Sequence, residues 1–213
     1  MAIPIVSEDL LDQVYANRVF ELNFETPFKL KGNILSPVRF NSGRMESSPQ
    51  RSRFYSYISL CIAERYHEYC DKSLRDIDAI AGVISGGISW ATTLANCNGV
   101  PFLRVGDRIS GDLPNKQSKV LIIDDVTTTG SAAEKAIKAM LRGDENANRA
   151  EVVAFFTIFD WNFPFANKKF EQLGVHKIHL FSFEDVINHG RKKGYISEEE
   201  YQKLLNFYEQ QCK

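Results

Sequence analysis

Two adjacent carboxylates, three threonines, a glycine and a serine lie within eight positions: Asp124, Asp125, Val126, Thr127, Thr128, Thr129, Gly130 and Ser131. Four apolar residues, Val120 to Ile123, precede them, and Ala132-Ala133-Glu134-Lys135-Ala136 begins a helical pattern behind them. The apolar run reads as a buried parallel strand. The small hydroxylated residues read as a tight turn into a helix N-terminus, where free backbone N–H groups can hold a phosphate. Gly130 permits a backbone geometry or a close approach that a Cβ would obstruct. Carboxylates just ahead of such a cradle can accept hydrogen bonds from vicinal hydroxyls, so the pattern suits a sugar whose phosphate sits in the turn. Neighbouring side chains alternate at a strand end, so the two aspartates need not point the same way. Asp125 is the expected direct contact and Asp124 the residue that orients the loop. The plainer alternative is a strand-turn-helix whose Thr and Ser residues only cap the helix. No Gly-Lys-Ser/Thr follows, so this is not a Walker loop.

The elements around this run alternate. Ile80–Ile84, Pro101–Val105, Val120–Ile123, Glu151–Phe159 and Lys177–Leu180 read as short buried strands. Helical patterns lie between them, over 89–96, 131–142 and 165–173, which implies a mostly parallel sheet covered on both faces. Ligands of such sheets sit outside the carboxyl ends of the strands. Three loops fall there: Ser85-Gly86-Gly87, Gly106-Asp107-Arg108, and Thr127 to Ser131. Paired glycines after a buried strand suit backbone amides brought close to an anion. Ahead of the alternating part, Ser7 is expected to cap a first helix with Leu10, Leu11, Val14 and Phe20 on its apolar side. Two extended segments, 27–33 and 36–41, then form a hairpin-like pair, and a second helix runs over 49–68 with Phe54, Ile58, Cys61, Ile62 and Arg65 at helical spacing. Ser197-Glu198-Glu199-Glu200 opens a final helix with a capping box.

At 213 residues the chain can bury one substantial core. Its formal charge of −1 gives no general support for nucleic-acid binding. No window approaches a membrane span, and Met1-Ala2-Ile3-Pro4-Ile5 lacks the form of a leader. Cys61, Cys70, Cys97 and Cys212 have no metal-ligand spacing, and neither do His67, His176, His179 and His189, so free thiols in a cytoplasmic protein are expected.

The run from Val120 to Ser131 resembles the phosphoribosyl-diphosphate (PRPP) signature of the type I phosphoribosyltransferases. The resemblance extends to the orotate phosphoribosyltransferases over most of the chain. Phe28-Lys29-Leu30-Lys31, then Ser36-Pro37 and Phe40-Asn41, resembles their early lysine and Ser-Pro hairpin. Gly82 to Ile88 occupies the place of their pyrophosphate loop, and Arg108-Ile109-Ser110-Gly111 resembles the end of their mobile loop. Ile158 to Ala166 resembles a segment of a divergent branch. The resemblance implies an α/β type I phosphoribosyltransferase fold in one domain spanning 1–213. Residues 1–48 would contribute an N-terminal hood and the base-binding hairpin, and the usual assembly is a homodimer. It implies transfer of phosphoribosyl from PRPP to orotate with Mg2+, without direct protein ligation of the metal.

The same resemblance assigns Thr127, Thr128, Thr129, Gly130 and Ser131 to the 5'-phosphate, and Ser85, Gly86 and Gly87 to pyrophosphate, with a cis peptide possible there. Lys31, Phe40 and Asn41 fall to the base; Lys29 would share a side with Lys31 on a strand, so the choice of Lys31 rests on the resemblance. Asp124, Asp125, Arg104 and Arg108 are the catalytic candidates, with Arg39 and Arg44 as further cations. Phe54-Tyr55-Ser56-Tyr57 could turn one face to the core and another to a partner subunit. The chain departs from the family in three places. Its third loop is short and lacks the family's lysines and histidine, a glycine, Gly86, stands where the pyrophosphate loop usually has lysine, and Trp161 replaces an arginine that contacts orotate. Two alternatives therefore stay open: transfer to another base, and a weak or inactive nucleotide-binding regulator.

Overall fold

The computed structural model describes residues 8–212. Ser7 and the segment Met1–Ile5 lie outside them. The N-terminal part holds α1 (Glu8–Ala16), β1 (Phe20–Leu22), β2 (Phe28–Lys29), β3 (Leu35–Ser36), β4 (Val38–Phe40) and α2 (Gly43–Ser47). After α3 (Arg51–Cys70) come β5 (Ala79–Val83), α4 (Ile88–Asn98), β6 (Phe102–Val105), β7 (Ile109–Ser110) and β8 (Gln117–Thr127). The chain continues through α5 (Ser131–Arg142), β9 (Arg149–Asp160), α6 (Pro164–Leu173), β10 (Lys177–Ser182), α7 (Phe183–Lys193) and α8 (Glu198–Gln211).

Six strands form the main sheet in the order β10-β9-β8-β5-β6-β7. Every neighbouring pair is parallel except β6 with β7. The earliest of these strands, β5, lies inside the sheet between β6 and β8. The chain therefore winds outward to one side through β6 and β7, then returns and winds to the other side from β8. The crevice between β5 and β8 is the switch point of this α/β fold, where loops diverge and leave room for a ligand.

Alternation sorts the strand residues between two layers. Ala81, Val83, Val120 and Ile122 meet Ala136, Ile137 and Met140 of α5 and Phe170 of α6. Ile80, Leu121 and Ile123 face α3, α4, α7, α8 and the N-terminal hood. Burial on both faces explains why Val120 to Ile123 is uninterruptedly apolar.

Several elements differ from the sequence expectation. β8 does not end at Ile123. Its pairing with β9 continues to Thr127 opposite Asp160, so both aspartates and Thr127 belong to the strand itself. Phe20 opens β1 opposite Phe40 instead of extending the apolar side of α1. The segment after Ser36 is divided at Pro37: Ser36 pairs with Phe28, whereas Val38 to Phe40 pair with β1. Proline has no N–H to carry one ladder through both. Helices α2 and α7 have no counterpart in the sequence pattern. On α3, Tyr55 packs on Trp90 with centroids 4.7 Å apart, and Tyr57 is half-buried against the core. The exposed apolar residues of that helix are instead Leu60 and Tyr69.

The hood is fastened to the core through α1. The Tyr15 hydroxyl donates to the Val186 carbonyl (2.8 Å) and its ring stacks on Tyr195. Asp12 lies 2.7 Å from His189 Nε2 and accepts from the Tyr195 hydroxyl at 3.0 Å. The four cysteines form no disulfide. No helix among the described residues is long and apolar enough to cross a membrane.

Candidate active site

The turn after β8 has the form of an anion cradle. Gly130 holds φ +70° and is the residue on which α5 begins. No side chain caps that helix. The Ser131 N–H makes only a long 3.5 Å contact with Thr129 Oγ1, so the threonines and serine are not there to cap. Thr127 is 3% exposed, and its hydroxyl has no hydrogen-bond partner among the described residues. Lys31, Asp124 and residues 126–133 line one shallow pocket over this turn. Uncapped N–H groups, a helix dipole and an orphan hydroxyl together call for an anionic acceptor.

The two aspartates diverge, as strand alternation requires. Asp124 is buried and lines the cradle; its Oδ1 accepts the Asp125 N–H at 2.9 Å. Burial pushes its carboxyl well above the usual carboxylate range, and the neighbouring Asp125 adds to the rise, with Lys31 opposing it. Asp125 is half-buried on the hood side. Its Oδ2 accepts the Ser42 hydroxyl at 2.6 Å and its Oδ1 the Val126 N–H at 2.8 Å. Ser42 precedes α2 yet spends its hydroxyl on Asp125 instead of capping that helix. This link between hood and strand had no signal in the local sequence, because 83 residues separate the partners.

The turn after β5 lies directly beside the acidic pair. A Cβ on Gly87 would fall on the Ile123 carbonyl oxygen and 2.8 Å from the Val83 nitrogen. One on Gly86 would collide with the Asp125 carboxylate. These contacts account for both glycines, and they explain why no lysine stands at Gly86. The peptide Ile84–Ser85 is cis. Helix α4, which follows, also starts at a glycine without a side-chain cap.

The hood supplies the remaining wall. Lys31 is not on a strand with Lys29. It opens a single 3-10 turn, Lys31–Asn33, so strand alternation does not place it on one side with Lys29. That turn rides on the cradle: a Cβ on Gly32 would come within 2.7 Å of Thr129 Cγ2. Phe40 is buried and stacks on Phe159 with centroids 4.3 Å apart. Asn41 donates to Glu21 at 3.0 Å, and Glu21 also binds Arg39 (2.8 Å) and Arg44 (2.6 Å), so both arginines are already paired. Trp161 is packed among Phe159, Phe163, Phe183 and Phe207, away from solvent.

The third loop is a tight hairpin. Val105 pairs with Ile109, and the Gly106 N–H donates to the Arg108 carbonyl at 3.0 Å. Gly106 adjoins Ile84, so the hairpin borders the β5 turn. Its tip, however, is tied to α5: Arg142 donates to the Asp107 carbonyl (2.7 Å) and Lys135 pairs with the Asp107 carboxylate (3.2 Å). Arg108 lines a separate pocket with Ala139, Arg142 and Asp144, far along α5 from the cradle. Arg104 is exposed and pairs in register with Gly82, beneath the turn into α4. Two loops and the hood, rather than three loops, thus converge at the switch point. Elsewhere, a buried cluster joins Asp160 to Lys177, with His179 at 3.6 Å and held below its ordinary pKa by burial. No group of three or more His, Cys, Asp or Glu side chains among the described residues could hold a metal ion.

No protein-family model matches the chain. It is 28% identical over 197 residues to orotate phosphoribosyltransferase of Porphyromonas gingivalis, covering 88% of this chain and 87% of that protein. Among solved structures, orotate phosphoribosyltransferase from Aeropyrum pernix superposes with a TM-score of 0.67 at 22% identity, over 87% of this chain and 99% of that one. UMP synthase of Leishmania donovani gives a TM-score of 0.74 at 21% identity over 96% of this chain; the chain spans 42% of that longer protein. The signature strand, the open cradle at the switch point and these matches give the chain the type I phosphoribosyltransferase fold, with orotate phosphoribosyltransferases among the proteins it resembles over most of its length.

Proposed function

We propose that the protein transfers the 5-phosphoribosyl group of PRPP to orotate, giving orotidine 5'-monophosphate and pyrophosphate. The observation that carries this reading is the cradle after β8, donor-rich and uncapped, with the acidic pair directly ahead of it. Orotate is favoured over other bases because the similar sequences are named as orotate enzymes from end to end. In the reaction, the anomeric carbon loses pyrophosphate and gains the base nitrogen, which asks the protein mainly for positioning and charge stabilisation. Residues 127–131 hold the 5'-phosphate, and Asp125 accepts from the ribose hydroxyls, its orientation set by Ser42. The amides of Ser85 and Gly86 face the pyrophosphate, the Gly87 N–H being taken by the Val83 carbonyl at 3.0 Å, and the exposed Arg104 is the cation offered by the adjoining strand β6. Lys31, Phe40 and Asn41 border the base.

Magnesium fits such a site as a hard cation carried by substrate oxygens and water, with Asp125 the half-buried carboxylate nearest to hand. Bound there, it would neutralise charge on the pyrophosphate. We place the enzyme in the cytoplasm as a homodimer, which light scattering at micromolar concentration tests directly.

A second reading, nucleotide binding with little turnover, is favoured by the third loop. Its tip is tied to α5 and Arg108 lies with Arg142, so few cations remain for a leaving pyrophosphate. Steady-state assays with PRPP, Mg2+ and a panel of bases separate the two, run beside calorimetric titration with orotidine 5'-monophosphate. Turnover with orotate supports the first; tight nucleotide binding without turnover of any base supports the second.

A further inference from the structure

Helix α6 brings to the cradle a cation that no motif announces. Lys169 Nζ lies 3.0 Å from Ser131 Oγ, the first hydroxyl of α5, and 3.6 Å from Glu134 Oε2. Its placement follows from how α6 packs. Ala166 and Lys169, one turn apart, flank Gly130, where a Cβ would stand 3.6 Å from Ala166 Cα and 3.5 Å from Lys169 Cδ.

The pairing with Glu134 is loose. Glu134 already holds Lys138 at 2.6 Å, one turn along the same helix. Lys169 can therefore turn to another anion without leaving Glu134 unpaired. Ser131 Oγ also accepts from the Thr129 hydroxyl at 3.1 Å, so it is a shared acceptor and not a dedicated partner. Around the same turn, the α5 N–H groups have no side-chain cap, and the buried Thr127 hydroxyl has no partner among the described residues. The cradle thus has an excess of donors and too few acceptors, and Lys169 is the donor that carries a full charge on its α6 side.

We propose that Lys169 is a side-chain ligand of the phosphate bound in the cradle, moving from Glu134 to a non-bridging oxygen of a phosphate monoester. A full cation there favours the dianion over the monoanion, which backbone amides alone do less strongly. The proposal rests on the reading of residues 127–131 as the 5'-phosphate site.

The test uses ribose 5-phosphate, which carries the phosphate without commitment to a base. Calorimetric titration compares the wild type with Lys169→Gln, Lys169→Arg and, as a control for general charge, Lys168→Gln on the exposed side of the same helix. Lys169→Gln is expected to weaken binding about tenfold and to flatten its salt dependence. Lys169→Arg should recover most of the affinity, and Lys168→Gln should match the wild type. Phosphorus NMR of the bound ligand adds a readout that a structural role would leave unmoved: its second ionisation should lie lower in the wild type than in Lys169→Gln. Equal affinity and equal ionisation in those two proteins overturn the proposal and leave the cradle standing. Failure of the wild type to bind ribose 5-phosphate overturns the cradle assignment and the proposal with it.

Discussion

Helix α5 and helix α8 begin in opposite ways. At α8, Ser197 accepts the Glu200 N–H while Glu200 accepts the Ser197 N–H, a closed capping box. Helix α7 closes in the same way through Ser182 and Asp185, and α6 starts with Pro164, which removes one donor outright. At α5, three threonines and a serine stand beside the first turn, and none caps it. Residues well suited to capping are present and the donors stay open. Helix α4 also starts on a glycine, lying against β8, without a side-chain cap. The uncapped starts that fall on a glycine follow the strands on either side of the switch point, β5 and β8, whereas the capping boxes close α7 and α8, which follow the last strand. A helix start left open next to small residues is thus a better sign of a ligand than the residue types alone.

The largest break in this contrast comes from Gly87→Ala. The new methyl would meet the Ile123 carbonyl and the Val83 nitrogen, which are backbone and cannot yield. Urea unfolding should show a loss of about 3 kcal/mol, together with loss of PRPP binding. Gly130→Val separates binding from stability. Its φ of +70° is left-handed, so a β-branched residue costs about 1–2 kcal/mol there, and nucleotide affinity measured by calorimetry should fall on the order of tenfold or more as the amides turn away. Unchanged affinity in a folded Gly130→Val protein would remove the phosphate assignment.

Asp124→Asn is expected to change how stability depends on pH. In the folded protein the Asp124 carboxyl titrates well above the usual carboxylate range, so the fold holds a proton that the unfolded chain has already released. Stability from this site is full in acid and falls as pH rises from the ordinary value toward the raised one. Asparagine removes that fall. Its melting temperature should exceed that of the wild type at about pH 8 and match it at about pH 3, while PRPP turnover drops. A gain independent of pH would show that the carboxyl is not the cause.

Ser197→Ala opens a closed helix start far from the crevice. It should cost about 1 kcal/mol and leave nucleotide affinity unchanged, the reverse of Gly130→Val. The smallest effect is expected from Arg108→Ala. Its side chain lines the pocket beside Arg142 and Asp144, so the nucleotide dissociation constant should move less than about twofold. A larger change would mean that the hairpin leaves α5 and closes over the ligand.

Sequence alone suffices for the layered sheet, the glycine turn into α5 and the last helix. Each of these rests on neighbours in the chain: four apolar residues buried on both faces, a glycine between threonine and serine, a serine three residues ahead of a glutamate. It also carried the divergence of the aspartates, because alternation is a local rule. The length of β8 was less legible. Only the partner strand β9 keeps the ladder going through two carboxylates that break the apolar run. Tertiary structure alone decided that Ser42 holds Asp125, that Gly86 must stay small beneath that carboxylate, that Arg39 and Arg44 are spent on Glu21, and that Lys169 reaches the cradle from α6. It also turned the third loop onto α5. Those contacts join residues far apart in the chain, and they depend on the distance and direction of packed elements, for which no spacing along the chain can stand in.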